Sequence, residues 1–260
     1  MSKIKVTIWN EFCHEKLSER VAKIYPDGIH GAIKQMLEKD DLDRFDVKVA
    51  TLEMDEHGLT DEVLNDTDVL IWWGHMKHDA VSDEVVDKVV KRINEGMGFI
   101  PLHSAHYCKV FKKLMGTSCR SKWRENDEKE IIWVTSPTHP IAEGLPEYII
   151  LPEEETYGEC FQIPTPSEVV FMSWFAGGEV FRSGCCFTRG IGKIFYFRPG
   201  HEEYPTYYRE DIMQVIKNAI VWAKPSLGPK PTLGHYDPIV EVKDKFEGLD
   251  DSLRKHEYIK

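Results

Sequence analysis

Short apolar segments alternate with amphipathic segments through the first two thirds of the chain. The apolar runs at residues 69–73 and 98–102 are typical of strands that are buried on both faces. Residues 83–95 place valines and an isoleucine on one helical face, with Ser82 as a candidate N-cap and Gly96 as a candidate end. This alternation predicts parallel strands joined by right-handed crossovers, and therefore a doubly wound α/β sheet.

The alternation ends near Glu130. Strand-like segments then follow one another without a long helix between them, at residues 131–135, 169–174, 179–187 and 193–197. This order predicts an antiparallel extension on the same sheet, followed by a helix over residues 209–223. We therefore predict a single α/β domain over residues 1–224, with three layers and a mostly parallel sheet.

The remaining residues, 225–260, begin with a segment rich in proline and glycine. Too little chain follows this segment to build a further domain, so we predict an extended C-terminal arm. Two placements stay open for the arm. It either packs on its own domain or reaches a neighbouring subunit, which would make the chain a homo-oligomer.

The composition excludes several classes of protein. The chain has 33 Lys and Arg against 44 Asp and Glu, a net charge of −11, which disfavours binding to a phosphate backbone. Its apolar runs are far shorter than the roughly 20 residues that cross a bilayer, and its first residues lack the features of a signal peptide. The six cysteines are scattered, as in a reduced protein. We expect a cytoplasmic protein without nucleic-acid or membrane partners.

The carboxyl ends of parallel strands are where ligands bind in open α/β sheets. Seven of the 11 histidines fall at these predicted ends or at the start of the first long helix: His14, His30, His75, His78, His103, His106 and His201. Scattered core histidines would not gather at one edge of a sheet. The set therefore predicts a polar functional site at this edge.

Nucleophilic catalysis is the first chemistry that this site could support. Residues 102–106 turn from a predicted strand toward a helix, as a nucleophile elbow does. In this hypothesis Ser104 is the nucleophile, His201 is its base and Glu203 orients the base.

Metal binding is the second possible chemistry. His75, His103 and His201 follow three separate predicted strands, and neutral imidazoles are ligands that zinc prefers. The glycine-rich segments at residues 177–178 and 190–192 lie between strands and precede no helix, so we predict no nucleotide cofactor.

Acid–base catalysis on a sugar or keto-sugar is the third. A carboxyl group from Glu154, Glu155 or Asp79 would then exchange protons together with a histidine. The substrate-binding residues that we predict are Asn10, Glu11, His30, Trp73, His103 and Tyr157. Among these, Trp73 and Tyr157 offer aromatic faces on which a sugar ring could stack.

Several motifs resemble those of the trehalose-utilisation (ThuA-like) family. They are Trp9-Asn10-Glu11, residues 25–30, Trp73-Gly74-His75, residues 102–105 and Gly200-His201-Glu202, and the resemblance covers roughly residues 3–224. It implies a class I glutamine amidotransferase-like fold, which is flavodoxin-like in topology. It also implies a role in disaccharide catabolism, on trehalose or a keto derivative of it.

The resemblance also bears on the type of activity. In active amidotransferases a cysteine fills the elbow, and a His-x-Glu motif follows a later strand. His201 and Glu203 match the second motif, but Ser104 stands at the predicted elbow position, so we do not expect glutamine amidotransferase activity. A sugar-processing enzyme, a non-catalytic sugar-binding subunit and a serine hydrolase that uses Ser104 remain as alternatives.

Overall fold

Nine strands form one mixed sheet in the computed structural model, which describes residues 2–41, 43–236 and 238. The strands are β1 (Ile4–Asn10), β2 (Phe45–Thr51), β3 (Val69–Trp73), β4 (Gly98–Leu102), β5 (Lys122–Val134), β6 (Tyr148–Gly158), β7 (Glu168–Phe175), β8 (Val180–Arg189) and β9 (Gly192–Phe197). Their order across the sheet is β2-β1-β3-β4-β9-β8-β7-β5-β6.

Helices cover both faces of the parallel part of the sheet. They are α1 (His14–Leu17), α2 (Glu19–Ile24), α3 (Gly28–Asp41), α4 (Asp61–Asn65), α5 (Asp83–Asn94), α6 (Lys109–Met115) and α7 (Glu210–Ala223). One apolar core contains side chains of α3 and α7, and a second contains side chains of α4, α5 and α6. The predicted three-layer α/β fold is thereby confirmed. Within the described residues, no helix combines the length and the apolar character that crossing a bilayer requires.

The parallel part contains β2, β1, β3, β4 and β9, each paired in parallel with its neighbour. All residues of β3 and β4 are buried, as their apolar runs predicted. Since these strands run in one direction, the loops after β1, β3, β4 and β9 meet at one edge of the sheet. This edge carries most of the histidines singled out in the sequence.

The antiparallel extension contains β8, β7, β5 and β6, and each pair of neighbours from β9 to β6 is antiparallel. The extension agrees with the prediction, but β5 begins nine residues before the predicted start at Ile131, and β6 is a strand that was not predicted. Both segments lack strand character, because residues 122–129 are mainly charged or polar and β6 contains Pro152 followed by three glutamates. The missed residues form one long β5–β6 hairpin.

The chain divides into two units, Met1–Ser226 and Leu227–Lys260. All the strands and helices named above lie in the first unit. The described residues 227–236 contain no helix or strand, and residues 239–260 of the predicted arm lie outside the described part of the chain. The arm and its role therefore stay predictions.

The N-cap of α5 provides a test of this local structure. Ser82 accepts a hydrogen bond from the backbone N–H of Val85 at 3.3 Å. Replacing Ser82 with Ala removes this acceptor, so we expect the free energy of unfolding to fall by about 1 kcal/mol. Denaturant titration measures the loss, with Ser82→Thr as the variant that keeps the cap. Equal losses in both variants would contradict this assignment.

Candidate functional site

Three imidazoles meet at the carboxyl edge of the sheet. His75 follows β3, His103 follows β4 and His201 lies four residues after the end of β9. The ring centroids are 5.9 Å apart for His75 and His103, and 5.5 Å apart for each of these with His201. The structure therefore brings these three predicted site residues together.

The turn after β4 holds His103 in a strained conformation. Its φ is +52°, a left-handed value that is uncommon outside glycine. In a nucleophile elbow the strained position carries the nucleophile, so His103, and not Ser104, occupies the elbow position. The hydroxyl of Ser104 donates to the carbonyl of Gly74 at 2.9 Å, and no described histidine forms a hydrogen bond with it. The predicted nucleophilic geometry at Ser104 is thus corrected.

The imidazole of His103 faces the carboxyl group of Glu155. Its Nδ1 donates to the carbonyl of Arg198 at 2.9 Å, so that its Nε2 presents a lone pair, 3.0 Å from Glu155 Oε2. Burial lowers the pKa of His103 to about 3 and raises the pKa of Glu155, so both groups favour their neutral forms. Two such atoms at this distance need a hydrogen or a cation between them.

His201 is oriented by backbone and not by a carboxylate. Its Nδ1 accepts from the backbone N–H of Glu203 at 3.3 Å, and its buried Nε2 has no hydrogen-bond partner. The Glu203 carboxylate lies 2.9 Å from Arg20 instead, which corrects its predicted role as orienter. Burial lowers the pKa of His201 to about 4, which keeps the ring neutral near pH 7.

Glu154 fixes the loop that carries His201. This fully buried carboxylate on β6 accepts from the backbone N–H groups of Gly200 and His201 at 3.0 and 3.1 Å. It also accepts from the N–H of Glu155 and from the hydroxyl of Thr206, each at 3.1 Å. With its oxygens occupied in this way, Glu154 acts as a positioning residue and not as the proton carrier considered from the sequence.

A second pairing joins His14 and His75 to Glu202. The Glu202 oxygens lie 3.0 Å from His14 Nε2 and 3.0 Å from His75 Nδ1. Burial opposes the charge of Glu202, but the hydrogen bond and positive charge of His75 lower its pKa to about 2. The same contact raises the pKa of His75 against the effect of burial. The pair is therefore an ionised carboxylate beside an imidazole that readily holds a proton.

Two other predicted residues support the loops. The Glu11 carboxylate accepts from the backbone N–H groups of Met76 and Lys77 at 2.9 and 3.0 Å, which holds the segment next to His75. The indole of Trp73 donates to the carbonyl of Gly200 at 3.0 Å and is fully buried. Trp73 thus joins two loops and offers no face to a sugar, contrary to the prediction.

Asn10 and His30 form a separate group. The Asn10 amide contacts His30 Nδ1 at 3.0 Å and donates to Glu15 at 2.7 Å. The His30 ring packs edge-on against Phe12, with ring centroids 4.9 Å apart. The structure does not bring His30 into the cluster of His75, His103 and His201. The position rule placed all four histidines at one edge of the sheet, but it did not separate His30 from the other three.

A cavity of about 350 Å³ lies beside the cluster. Its lining consists of His75, His78, Ser104, His106, Tyr107, Arg120, Ser121, Trp123, Glu155 and Tyr157. The ring of Tyr157 also packs against His103, with centroids 5.4 Å apart. The cavity thus combines hydroxyl, imidazole and carboxyl groups with aromatic faces, and it meets the cluster through His75 and Glu155.

Among the described residues, two groups have ligand atoms close enough to hold a metal ion. They are His103, Glu155 and His201, and His14, His75 and Glu202, with all ligand atoms of a group within 4.8 Å of one another. The predicted set of His75, His103 and His201 is split between them. In the first group, His103 Nε2 and Glu155 Oε2 are buried 3.0 Å apart, and the buried Nε2 of His201 has no hydrogen-bond partner. Two histidines and one glutamate are a ligand set of catalytic zinc sites.

The sequence matches a known family over most of its length. A family model described as ThuA, trehalose utilisation, matches residues 5–223. The chain belongs to the ThuA family. Membership of the ThuA family agrees with the resemblance of the motifs and supports a role in carbohydrate utilisation in general.

Solved structures confirm the ThuA-like and amidotransferase-like fold. A ThuA-like protein from Parabacteroides merdae is 15% identical, with a TM-score of 0.66, and the match covers 87% of this chain and 93% of that one. A cytoplasmic protein from Salmonella typhimurium is 12% identical, with a TM-score of 0.60 and coverage of 86% and 100%. A glutamine amidotransferase from Thermotoga maritima is 13% identical, with a TM-score of 0.53, and the match covers 85% of this chain and 97% of that one. No curated protein matches the chain.

The role of Glu154 can be tested by an isosteric change. Glu154→Gln replaces one accepting oxygen with an amide nitrogen that cannot accept from the backbone of Gly200 or His201. We expect the free energy of unfolding to fall by about 2 kcal/mol, because buried donors lose a charged acceptor. Glu153→Gln, at the exposed neighbouring position, is the control and should change stability by less than about 0.5 kcal/mol. Similar small effects in both variants would argue against the positioning role.

The environment of Ser104 gives a second test. Because its hydroxyl donates to a backbone carbonyl and has no base beside it, we expect a fluorophosphonate probe to leave the folded protein unlabelled. Mass spectrometry after incubation detects the adduct, with an active serine hydrolase as the positive control. Labelling that disappears in Ser104→Ala would instead establish a nucleophilic serine.

Proposed function

We propose that this ThuA-family chain is an enzyme of carbohydrate utilisation that acts on a disaccharide, trehalose or a keto derivative of it. The sugar would bind in the cavity of about 350 Å³, and a zinc ion would be held by His103, Glu155 and His201. One observation carries this proposal. Three buried ligand atoms from distant parts of the chain converge beside the cavity, within 4.8 Å of one another.

The cavity suits an uncharged sugar. Its volume is near the lower end of the roughly 300–1,000 Å³ found for small-molecule sites. The hydroxyls of Ser104 and Ser121 and the imidazole of His106 can pair with sugar hydroxyls. Trp123 and Tyr107 offer apolar ring faces against which the C–H faces of a sugar can pack.

Two of the three proposed ligands, His103 and Glu155, can bind zinc in the hydrogen-bonding arrangement that the structure shows. His103 has its Nδ1 hydrogen bonded to a carbonyl, which leaves Nε2 free to bind a metal, and Glu155 supplies an oxygen. His201 carries its hydrogen on Nε2 when neutral, because Nδ1 accepts from Glu203, so metal binding requires that hydrogen to leave Nε2. Zinc held by these residues would supply a Lewis acid, which could polarise a carbonyl or lower the pKa of a water.

His75 is the residue best suited to carry a proton. It lines the cavity, and Glu202 holds its Nδ1, so that Nε2 remains to face a substrate. Although burial lowers it, the hydrogen bond and negative charge of Glu202 raise the pKa of His75, which favours the protonated form that a general acid needs. In this proposal the His75–Glu202 pair replaces the His201–Glu203 pair expected from the sequence, and no nucleotide cofactor takes part. We keep the cytoplasm as the proposed location.

A non-catalytic sugar-binding subunit is the second candidate. One observation favours it. The strained elbow position is occupied by His103, which is tied to a backbone carbonyl and is not a nucleophile. The nearest cysteine, Cys108, caps α6 through Phe111, and burial raises the pKa of its thiol to about 12, so it cannot substitute as a thiolate.

The metal can be tested without any activity. We expect the purified protein, after zinc loading and dialysis, to retain stoichiometric zinc by elemental analysis. His103→Ala and Glu155→Gln should weaken zinc binding by more than the roughly 10–100-fold lost when an outer-shell partner is removed. His30→Ala and Glu153→Gln are the matched controls and should retain zinc. Absence of zinc in the wild type, or equal retention in all variants, would refute the metal assignment.

Calorimetry and a product assay with trehalose and its keto derivatives test the activity. We expect binding and turnover in the wild type, and a loss of turnover of about 10²-fold in His75→Gln, because general acid–base catalysis contributes about 10²–10⁴-fold. Binding without product would favour the accessory subunit. Neither binding nor product with any of these sugars would overturn both candidates.

A further inference from the structure

Seven apolar side chains lie together on one face of the antiparallel extension. In the sheet register, Trp174 pairs with both Val180 and Ile131, and Ile131 pairs with Ile150. The neighbouring row pairs Trp133 with Met172 and with Tyr148, whose ring centroid lies 5.0 Å from that of Trp133. We call these seven residues, which span β8, β7, β5 and β6, the apolar face.

This surface remains exposed to solvent. Five of its side chains keep a large exposed fraction: Trp133 40%, Tyr148 41%, Ile150 43%, Trp174 38% and Val180 47%. On the same strands, the alternating residues Ile132, Ile149 and Phe171 are buried in the core that contains α7. The extension is therefore covered on one face and open on the other among the described residues.

The size of the apolar face is that of an interface centre. Taking roughly 150–250 Å² for each large side chain, the exposed fractions correspond to roughly 400 Å² of apolar surface. A standard interface buries roughly 800 Å² on each partner, with an apolar centre inside a polar rim. The apolar face would supply most of the apolar centre of such an interface.

We propose that the apolar face packs against the same face of a second copy of this chain and forms an isologous dimer. A two-fold dimer needs only one self-complementary patch, and this patch contains no charged residue. Pleated sheet faces pack on one another with strands inclined by about 30°, which lets side chains of the two faces interdigitate. Tryptophan, tyrosine and methionine, four of the seven residues here, are enriched at such centres.

Pairing through the edge of the sheet is disfavoured. The edge strand on this side is β6, and Pro152 in its middle has no N–H to donate to an added strand. The exposed Glu153 beside it places a charge on the same edge. The contact therefore involves the face of the extension and not its edge.

Sedimentation velocity of the full chain over a range of concentrations tests the dimer. We expect a dimer in the wild type, and we expect Trp133→Glu and Trp174→Glu each to raise the dimer Kd by at least about 30-fold, since loss of a central tryptophan removes a hot spot. Trp123→Glu is the control, because Trp123 is 65% exposed but lies outside the apolar face, and it should remain dimeric. Circular dichroism checks that each variant is folded.

Two results would overturn the proposal. One is a wild type that stays monomeric at the highest concentration. Acrylamide quenching of tryptophan fluorescence then shows whether another part of the chain covers Trp133 and Trp174, and that finding would also overturn the proposal. The other is a dimer that persists in both glutamate variants and in Ile150→Glu, which would assign the contact to a different surface. Neither result depends on zinc or on a sugar substrate.

Discussion

The guanidinium group of Arg198 is fully buried where the parallel strands meet the antiparallel extension. It pairs with Glu130 of β5, donates to the backbone carbonyl of Glu155 on β6 at 2.8 Å, and lies 3.8 Å from the Glu154 carboxylate. The carbonyl of Arg198 accepts the hydrogen bond from His103. A buried cation is tolerated only when such partners surround it, so this residue ties the β5–β6 hairpin to the histidine loops.

Two glutamate–histidine pairs lie in the site, and their glutamates differ in ionisation. Glu202 is ionised because His75 and His14 both face it, whereas Glu155 faces an imidazole whose remaining hydrogen is committed to a carbonyl. Burial acts on both carboxyl groups, but only Glu202 has partners that compensate for it. One site thus contains an ionised carboxylate and a neutral carboxyl group, and acid–base catalysis commonly uses such a difference in pKa.

The sequence was informative where a pattern is physical and local. Alternating strands and helices predicted the parallel sheet. The expectation that polar groups gather at the carboxyl ends of its strands selected His75, His103 and His201, which the structure brings together. The sequence named Glu155 only as one of three carboxyl groups that could act with a histidine, because β6 contains a proline and a run of glutamates that conceal a strand. Nor does sequence reveal a backbone dihedral, so the strained position was assigned to Ser104 and not to His103. The grouping of Asn10 with His30 likewise depends on loop packing that residue types alone do not specify.

Pro152 has a consequence for how the chain behaves when it is crowded. A nine-stranded sheet with a regular, uncharged final strand could template further strands without limit, as fibrils do. At the β6 edge that growth is blocked after Leu151, because the next residue cannot continue the hydrogen-bond ladder and glutamates follow it. A two-fold contact through the face of the sheet is complete when one partner has bound. A contact through the edge of the sheet leaves a new edge free and can be repeated. At this edge of the sheet, a single imino acid therefore favours finite assembly over the open-ended addition of strands.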